Sequence, residues 1–238
     1  NLSVDYYNIR VNDAIAQIGS ATIATRCLLN NATEFCPLIT KNAADEVTMI
    51  NDSLQNVNGF KTRGLDIEAT YRTSIGSGSS LDMRLLGTKV FDLMIIDSAG
   101  AVDRAGQTGF RASNTPGVPD WIVDGLVTFK TGPFSLSAHG RYIPQGKYLV
   151  EFVGPEDEGY KVGAGNSINT NRVAGRFYAD LTLNWNVKAG RSDVEYFFAV
   201  RNLFDKDPPI APSAVGITNQ VLFDQVGRSF RVGVRFKR

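Results

Sequence analysis

The sequence predicts an all-β chain whose antiparallel strands form a segment of a transmembrane β-barrel. Three observations support this prediction. Apolar and polar residues alternate at period two over long segments, as in strands with one apolar and one polar face. Several segments reach the roughly 9–11 residues that a tilted strand needs to cross a bilayer. The connections are alternately tight and long, which is typical of barrels with short periplasmic turns and long extracellular loops.

About eight segments of the 238-residue chain alternate in this way. In 65–72, for example, every odd position is apolar and every even position is polar or charged. Many segments are longer than the ~5–6 residues usual in globular sheets. The predicted strands lie near residues 2–13, 54–74, 79–96, 119–131, 133–148, 172–188, 192–203 and 226–237.

The connections alternate between tight turns and long loops, so all the long loops should lie at the same end of the strands. Glycines mark the tight turns, where they allow a positive φ at little cost; these turns are 74–79, 131–133 and 188–191. Residues 14–29 do not alternate and have apolar residues at three- and four-residue spacing, which predicts a short surface helix. The four long connections are 14–53, 97–118, 149–171 and 204–225.

Composition excludes several classes of function. The 25 Lys and Arg residues are balanced by 24 Asp and Glu residues, so no nucleic-acid partner is expected. One His and two Cys cannot build a multi-histidine metal site, a four-thiolate zinc site or an iron–sulfur cluster, and no cofactor is predicted. Mean hydropathy is −0.12, and no run approaches the roughly 18 apolar residues of a membrane helix. No nucleophile motif accompanies the single histidine, His139, so no enzyme activity is expected.

A soluble β-sandwich binding module is the alternative that the alternation leaves open. In a sandwich, the aromatic residues on the apolar side of the strands would fill the core. In a membrane barrel the same rings would form girdles at the two interfaces, because they fall near the strand ends. These residues are Trp121, Phe129, Phe134, Tyr142, Phe177 and Trp185.

Four stretches of the sequence resemble the C-terminal barrel of TonB-dependent receptors. They are 224–236, 200–209 with Asn-Leu-Phe-Asp at 202–205, 64–68 followed by Tyr71, and 5–9. The resemblance covers nearly the whole chain and implies a barrel of about 22 strands, of which the eight segments are the final ones. Residues 1–238 would then be the C-terminal part of the barrel, with the plug domain and the earlier strands outside this chain. Family members usually end on an aromatic residue, whereas Lys237 and Arg238 follow Phe236 here.

The resemblance also implies a function and partners. It implies an outer-membrane active-transport receptor, whose wall and extracellular loops capture a scarce or bulky solute such as an iron chelate or a glycan. The expected partners are the receptor's own plug domain, the remaining strands, outer-membrane lipid, the transported ligand and, through the missing N-terminal part, the TonB complex. The expected location is the outer membrane of a Gram-negative cell. A self-contained eight-stranded barrel or a passive porin remains the alternative within membranes.

Two sets of loop residues are predicted to have specific roles. An extracellular loop favours a disulfide between Cys27 and Cys36. The acidic cluster Glu151, Glu156, Asp157 and Glu158 is interpreted as solvated charge, because its spacing does not follow a calcium-binding loop.

Ligand contact is predicted for aromatic and cationic residues of the four long connections. Flat rings can stack on a sugar or an aromatic chelate, and guanidinium groups can bind an anionic ligand. The alternative is that the rings pack loop against loop. The candidates are Phe35, Phe110, Tyr160 and Phe223 for stacking, and Arg104 and Arg111 for charge.

The alternation also assigns the two faces of the predicted sheet. The apolar face should contact lipid and the polar face should line the lumen, where His139 is expected to be hydrogen-bonded. We further expect an open sheet, in which the first strand does not pair with the last. The lipid-facing set is Leu65, Ile67, Leu181, Leu183, Val232 and Val234, and the lumen-facing set is Asp66, Glu68, Asp180, Asn184, Arg231 and Arg235.

Overall fold

The computed structural model describes residues 1–29, 31–97, 100–109, 117–190, 192–211 and 218–237. One α-helix, α1 (Ser20–Leu28), and a 3₁₀ helix (Thr33–Leu38) follow the first strand. Neither described helix is long and apolar enough to span a membrane. The strands are β1 (Leu2–Ala16), β2 (Ile39–Lys41), β3 (Val47–Ile50), β4 (Gln55–Ile75), β5 (Ser79–Asp97), β6 (Gly100–Asp103), β7 (Trp121–Thr131), β8 (Phe134–Ile143), β9 (Gly146–Lys147), β10 (Arg172–Val173), β11 (Arg176–Ala189), β12 (Ser192–Arg201) and β13 (Ser229–Lys237).

The long strands form one antiparallel sheet in which each pairs with its neighbours along the sequence. The order is β1-β4-β5-β7-β8-β11-β12-β13, with β6 added beside β5. The eight predicted strands are therefore confirmed, although β8 ends at Ile143 and β11 begins at Arg176, inside their predicted bounds. Tight turns join β4 to β5, β7 to β8 and β11 to β12. No pairing joins β1 to β13 in the described part of the chain, so the sheet is an open segment of a barrel, as expected.

The pairing register separates an apolar outer face from a polar inner face. Leu183 lies opposite Leu136 and Phe198, whereas its neighbour Asn184 lies opposite Ser135 and Phe197. Directly opposed residues of an antiparallel pair share a face, so the register carries this division from strand to strand. All the predicted lipid-facing residues share the outer face, and all the predicted lumen-facing residues share the inner face.

Aromatic rings border the outer face at two heights. Near the tight turns, the ring centroid of Trp185 lies 6.0 Å from Phe134 and 5.4 Å from Tyr196. At the loop ends, Phe177 lies 6.4 Å from Phe204. The eight residue steps from Phe177 to Trp185 extend about 26 Å along the strand, or about 20 Å once a 40° tilt is included. This height is close to the ~25 Å apolar band of outer-membrane barrels.

Ion pairs and hydrogen bonds cover the inner face from the tight turns up to the level of Asp66. Arg84 Nε lies 2.9 Å from Glu68 Oε1. Thr88 Oγ1 donates to Asp66 Oδ1 at 2.8 Å. Further pairs join Arg72 to Asp82 and Arg235 to Glu195. The lower wall is thus largely charge-compensated.

Candidate functional site

Four loops gather at the strand ends opposite the tight turns. We call them loop 1 (17–54), loop 2 (98–120), loop 3 (144–175) and loop 4 (202–228). In loop 1, Ile18, Ile23 and Phe35 form a buried apolar cluster. A second cluster joins the ends of β8 and β11 to loops 3 and 4, and comprises Ile143, Val173, Tyr178, Ala211 and Phe223. The loops therefore pack against each other and against the upper ends of the strands.

A buried ion pair connects loops 1, 2 and 3. Arg104 is 2% exposed, and its Nη1 lies 2.8 Å from Glu151 Oε2. The same guanidinium donates to Gln107 Oε1 at 3.0 Å and to Thr22 Oγ1 at 3.1 Å. Thr22 Oγ1 donates in turn to Glu151 Oε2 at 3.1 Å. Because one residue from each loop meets here, the three loops form one assembly.

The predicted disulfide is present in loop 1. Cys27 and Cys36 are bonded, with 5.0 Å between their Cα atoms. The bond ties the end of α1 to the 3₁₀ helix, and the Arg26 guanidinium lies 5.5 Å from the ring centroid of Phe35 beside it. The predicted helix is also confirmed, although it begins only at Ser20 because β1 continues to Ala16.

Removing the disulfide should destabilise loop 1 locally. Closing so short a segment contributes about 2–3 kcal/mol in the chain-entropy model. Cys27→Ser/Cys36→Ser should therefore increase amide hydrogen exchange across loop 1, while exchange in β11 and β12 should not change. Unchanged exchange in loop 1 would mean that its apolar cluster alone holds the fold.

The predicted ligand-contact residues have different surroundings. Phe35 and Phe223 are each 3% exposed and Arg104 is buried, so a solute reaches them only if the loops rearrange. Their packing matches the alternative in which rings pack loop against loop. Tyr160 is half-buried, and its hydroxyl donates to Asn169 Oδ1 at 3.0 Å. Ligand contact stays a prediction for these residues, and Phe110 and Arg111 lie outside the described residues.

The acidic cluster of loop 3 does not consist only of solvated charge, so that interpretation was wrong for two of its residues. Glu151 belongs to the buried pair with Arg104. Asp157 Oδ1 lies 2.7 Å from Lys147 Nζ, and Asp157 Oδ2 accepts the backbone N–H of Gly154 at 3.0 Å. These two hydrogen bonds hold the pKa of the Asp157 carboxyl below its usual value. Glu156 and Glu158 are exposed, as expected.

A pocket of about 490 Å³ lies between the upper inner face and loop 4. Strands β8, β11 and β12 supply its wall, and residues 220–227 of loop 4 cover it. The wall residues Arg141 and Arg201 make no ion pair among the described residues. The Tyr178 hydroxyl is buried beside the backbone of Asp224 in loop 4. The wall thus places two guanidinium groups and a tyrosine hydroxyl beside the Asp180 and Asp224 carboxylates, a polar surface of mixed charge.

The prediction for His139 is confirmed by its position in this wall. Its Nε2 lies 3.3 Å from Asp124 Oδ1 and its Nδ1 lies 3.6 Å from Asp180 Oδ2. Two carboxylates on neighbouring strands therefore flank the imidazole on the inner face. In the described residues no group of His, Cys, Asp and Glu could hold a metal ion.

Asn202 connects the pocket wall to loop 4, and its role was missed in the sequence. Its φ is 49°, a conformation that Asn adopts more readily than most residues. Its backbone N–H donates to Asp180 Oδ1 at 2.8 Å, and its Nδ2 donates to Asp224 Oδ2 at 2.9 Å. Its Oδ1 accepts the backbone N–H of Lys206 at 2.9 Å. In the sequence, this role was indicated only by the family-like segment Asn-Leu-Phe-Asp at 202–205, which begins with Asn202.

Replacing Asn202 should detach loop 4 from the wall. Asn202→Ala loses every side-chain hydrogen bond of this residue and strains the left-handed backbone, so it should lower the free energy of unfolding by about 2–4 kcal/mol. Asn202→Gly keeps the backbone conformation and should cost less. Urea unfolding of the refolded receptor measures both. An Asn202→Ala variant as stable as wild type would contradict this role.

A second opening, of about 640 Å³, lies among loops 1, 2 and 3. Helix α1 and the 3₁₀ helix line one side, while β6 and loop 3 line the others. The Glu151 of the buried ion pair also reaches this opening, so its shape depends on that pair. Residues that line it include Thr25, Gly100 and Asn166, none of which any local motif indicated.

A sheet with an apolar face of membrane height, a charged opposite face and loops gathered at one end defines a segment of transmembrane barrel wall. The family model described as "TonB dependent receptor-like, beta-barrel" matches residues 1–203. The chain belongs to this family. Its members are outer-membrane transport receptors of Gram-negative bacteria, which is not a family of enzymes.

Solved structures of the same family share the fold. The FrpB iron transporter from Neisseria meningitidis, in its F3-3 variant, matches with a TM-score of 0.50 and 15% identity over 98% of this chain. A mutant of the ferric enterobactin receptor PfeA from Pseudomonas aeruginosa matches with a TM-score of 0.50 and 13% identity over 98% of this chain. The chain spans only 28% of the length of each. No curated protein sequence matches it.

Proposed function

We propose that this chain is the C-terminal part of an outer-membrane active-transport receptor. The observation that carries the proposal is an open sheet of consecutively paired strands, which leaves both edges for further strands. A self-contained eight-stranded barrel would instead require β1 to pair with β13. A soluble sandwich would not require an exposed apolar face bordered by aromatic girdles.

The polar inner face suits a plug domain inside the completed barrel. Charged groups such as Arg141 and Arg201 can pair with plug residues, water or solute. The plug, the remaining strands and the segment that contacts the TonB complex would lie elsewhere in the full-length receptor. In this arrangement the present chain supplies wall and extracellular loops, and no catalytic step.

For the ligand, we propose an anionic iron chelate. The guanidinium groups of Arg141 and Arg201 at the upper wall can bind an anionic solute, since they form charge-assisted hydrogen bonds with carboxylate or catecholate oxygens. The names of the structural neighbours, an iron transporter and a ferric enterobactin receptor, support the same class. A glycan is the second candidate, because the partly exposed ring of Tyr160 could stack on a sugar.

Uptake by whole cells tests the proposal. Deleting the full-length receptor should abolish energy-dependent uptake of its solute, and a panel of iron chelates and oligosaccharides identifies which solute is lost. Arg141→Gln/Arg201→Gln should weaken binding of an anionic chelate. Arg72→Gln, which removes an inner-face cation near the tight turns, serves as the matched control. If deletion leaves uptake of the whole panel unchanged, the transport function fails; if only the glycans are lost, the iron-chelate assignment fails.

A further inference from the structure

Two cations face each other on the outer face above the apolar band. Arg10 of β1 lies directly opposite Lys61 of β4. The register between these strands is uninterrupted from Leu2 to Asn12, so Arg10 and Lys61 share the face of Tyr6 and Leu65. The outer face thus changes from apolar to cationic along two adjacent strands.

The height of this pair follows from strand geometry. Tyr6 and Leu65 are opposed, and the pairing register continues from Leu65 through Lys89 to Trp121, the aromatic residue at the loop end of β7, which marks the upper edge of the apolar band. Arg10 is four residues further along β1, which is about 13 Å along the strand and about 10 Å above the band at a tilt near 40°. Lipid head groups occupy the first several ångströms outside the hydrocarbon core.

Neighbouring charges on this face are compensated, but this pair is not. Arg63 pairs with Asp92, and Lys89 Nζ lies 3.0 Å from Asp120 Oδ2. Arg10 Nε donates to Asn12 Oδ1 at 3.1 Å and has no carboxylate partner in the described chain. Lys61 Nζ has no ion-pair or hydrogen-bond partner among those residues either.

Two like charges in directly opposed positions repel each other across an antiparallel pair. An anion between them removes this repulsion. A phosphate suits the geometry because a guanidinium binds two of its oxygens at once, while an ammonium contributes a compact charge. The position just above the apolar band indicates that this phosphate belongs to a lipid head group.

We propose that Arg10 and Lys61 bind a phosphate of a phosphorylated glycolipid in the outer leaflet of the membrane. The proposal rests on the proposed placement of the chain in the outer membrane. The bound lipid would lie along the outer surface of β1 and β4, with its acyl chains against Tyr6 and Leu65. Its phosphate would neutralise the charges of Arg10 and Lys61 on the outer surface, and the lipid would not enter the lumen.

Native mass spectrometry of the full-length receptor in detergent tests this site, with bisphosphorylated lipid A and its dephosphorylated form as probes. Wild type should retain the phosphorylated lipid in preference to the dephosphorylated one. Arg10→Gln/Lys61→Gln should weaken that binding about tenfold or more, since each cation near a lipid surface contributes measurably to anionic-lipid affinity. Added salt should weaken wild-type binding more than variant binding.

Lys41→Gln/Lys161→Gln is the matched control, because it removes two cations that are exposed in loops 1 and 3. Its lipid binding should equal that of wild type. Equal binding by wild type and Arg10→Gln/Lys61→Gln, or equal binding of the two lipid forms by wild type, would overturn the phosphate site. Membrane fractionation separates this result from failure of the proposed function: a receptor absent from the outer membrane contradicts the placement itself.

Discussion

Replacing Arg104 by methionine should loosen loops 1, 2 and 3 together, with a loss of about 3–5 kcal/mol in the stability of the loop assembly. The variant removes a cation that is almost wholly buried and leaves the Glu151 carboxylate with only the Thr22 hydroxyl among its described partners. An uncompensated carboxylate in such a site has lost most of its solvation without gaining an ion pair. The readout is amide hydrogen exchange of the loops in the refolded receptor.

A double-mutant cycle isolates the pair itself. Arg104→Met/Glu151→Gln should recover part of the loss, because a neutral amide requires less solvation than a carboxylate. Exchange in β7 and β8 should be unchanged in every variant, because these strands are held by their own ladder of hydrogen bonds. Loop exchange equal to wild type in Arg104→Met would show that the three loops do not depend on this contact.

Placing an arginine on the outer face should cost far more than placing one beside it on the inner face. Leu183 and Asn184 are adjacent in β11 but lie on opposite faces. Leu183→Arg should lower the free energy of unfolding by about 2–4 kcal/mol, because the guanidinium would enter the hydrocarbon. Asn184→Arg adds the same side chain to the polar inner face and should change the stability little.

Urea unfolding of the receptor in phospholipid vesicles measures both variants. Leu181→Arg should be at least as destabilising as Leu183→Arg, because Leu181 lies midway between the rings of Phe177 and Trp185. Equal losses at positions 183 and 184 would show that the two faces have been assigned wrongly.

The strands and their faces could be predicted from the sequence because both are local properties. Successive side chains of a strand point to opposite faces, so a face assignment such as that of Leu183 and Asn184 needs only the alternation. The disulfide could be predicted for a similar reason, since Cys27 and Cys36 lie in one loop. A short helix was predicted within residues 14–29, but its first residue was not predicted correctly. The helix begins only at Ser20, because β1 continues to Ala16.

The roles of the loop residues could not be predicted from local sequence patterns, because their contacts join segments that are far apart in the sequence. Arg104 was predicted to contact an anionic ligand, yet its guanidinium is buried against Thr22, 82 positions away in the sequence, and Thr22 contacts Glu151, 129 positions away. Phe223 was likewise considered for ligand contact, but packing of loops 3 and 4 buries its ring.

The strands, their faces and the position of the loops at one end of the sheet could therefore be predicted from local patterns in the sequence. Which loop side chains are buried and which line the pockets became clear only from the folded chain. Strand alternation depends on neighbours in the sequence, whereas loop contacts depend on the order and register of the sheet. That order brings Thr22 and Glu151, 129 positions apart, to the same end of the wall, where both contact the buried Arg104 guanidinium.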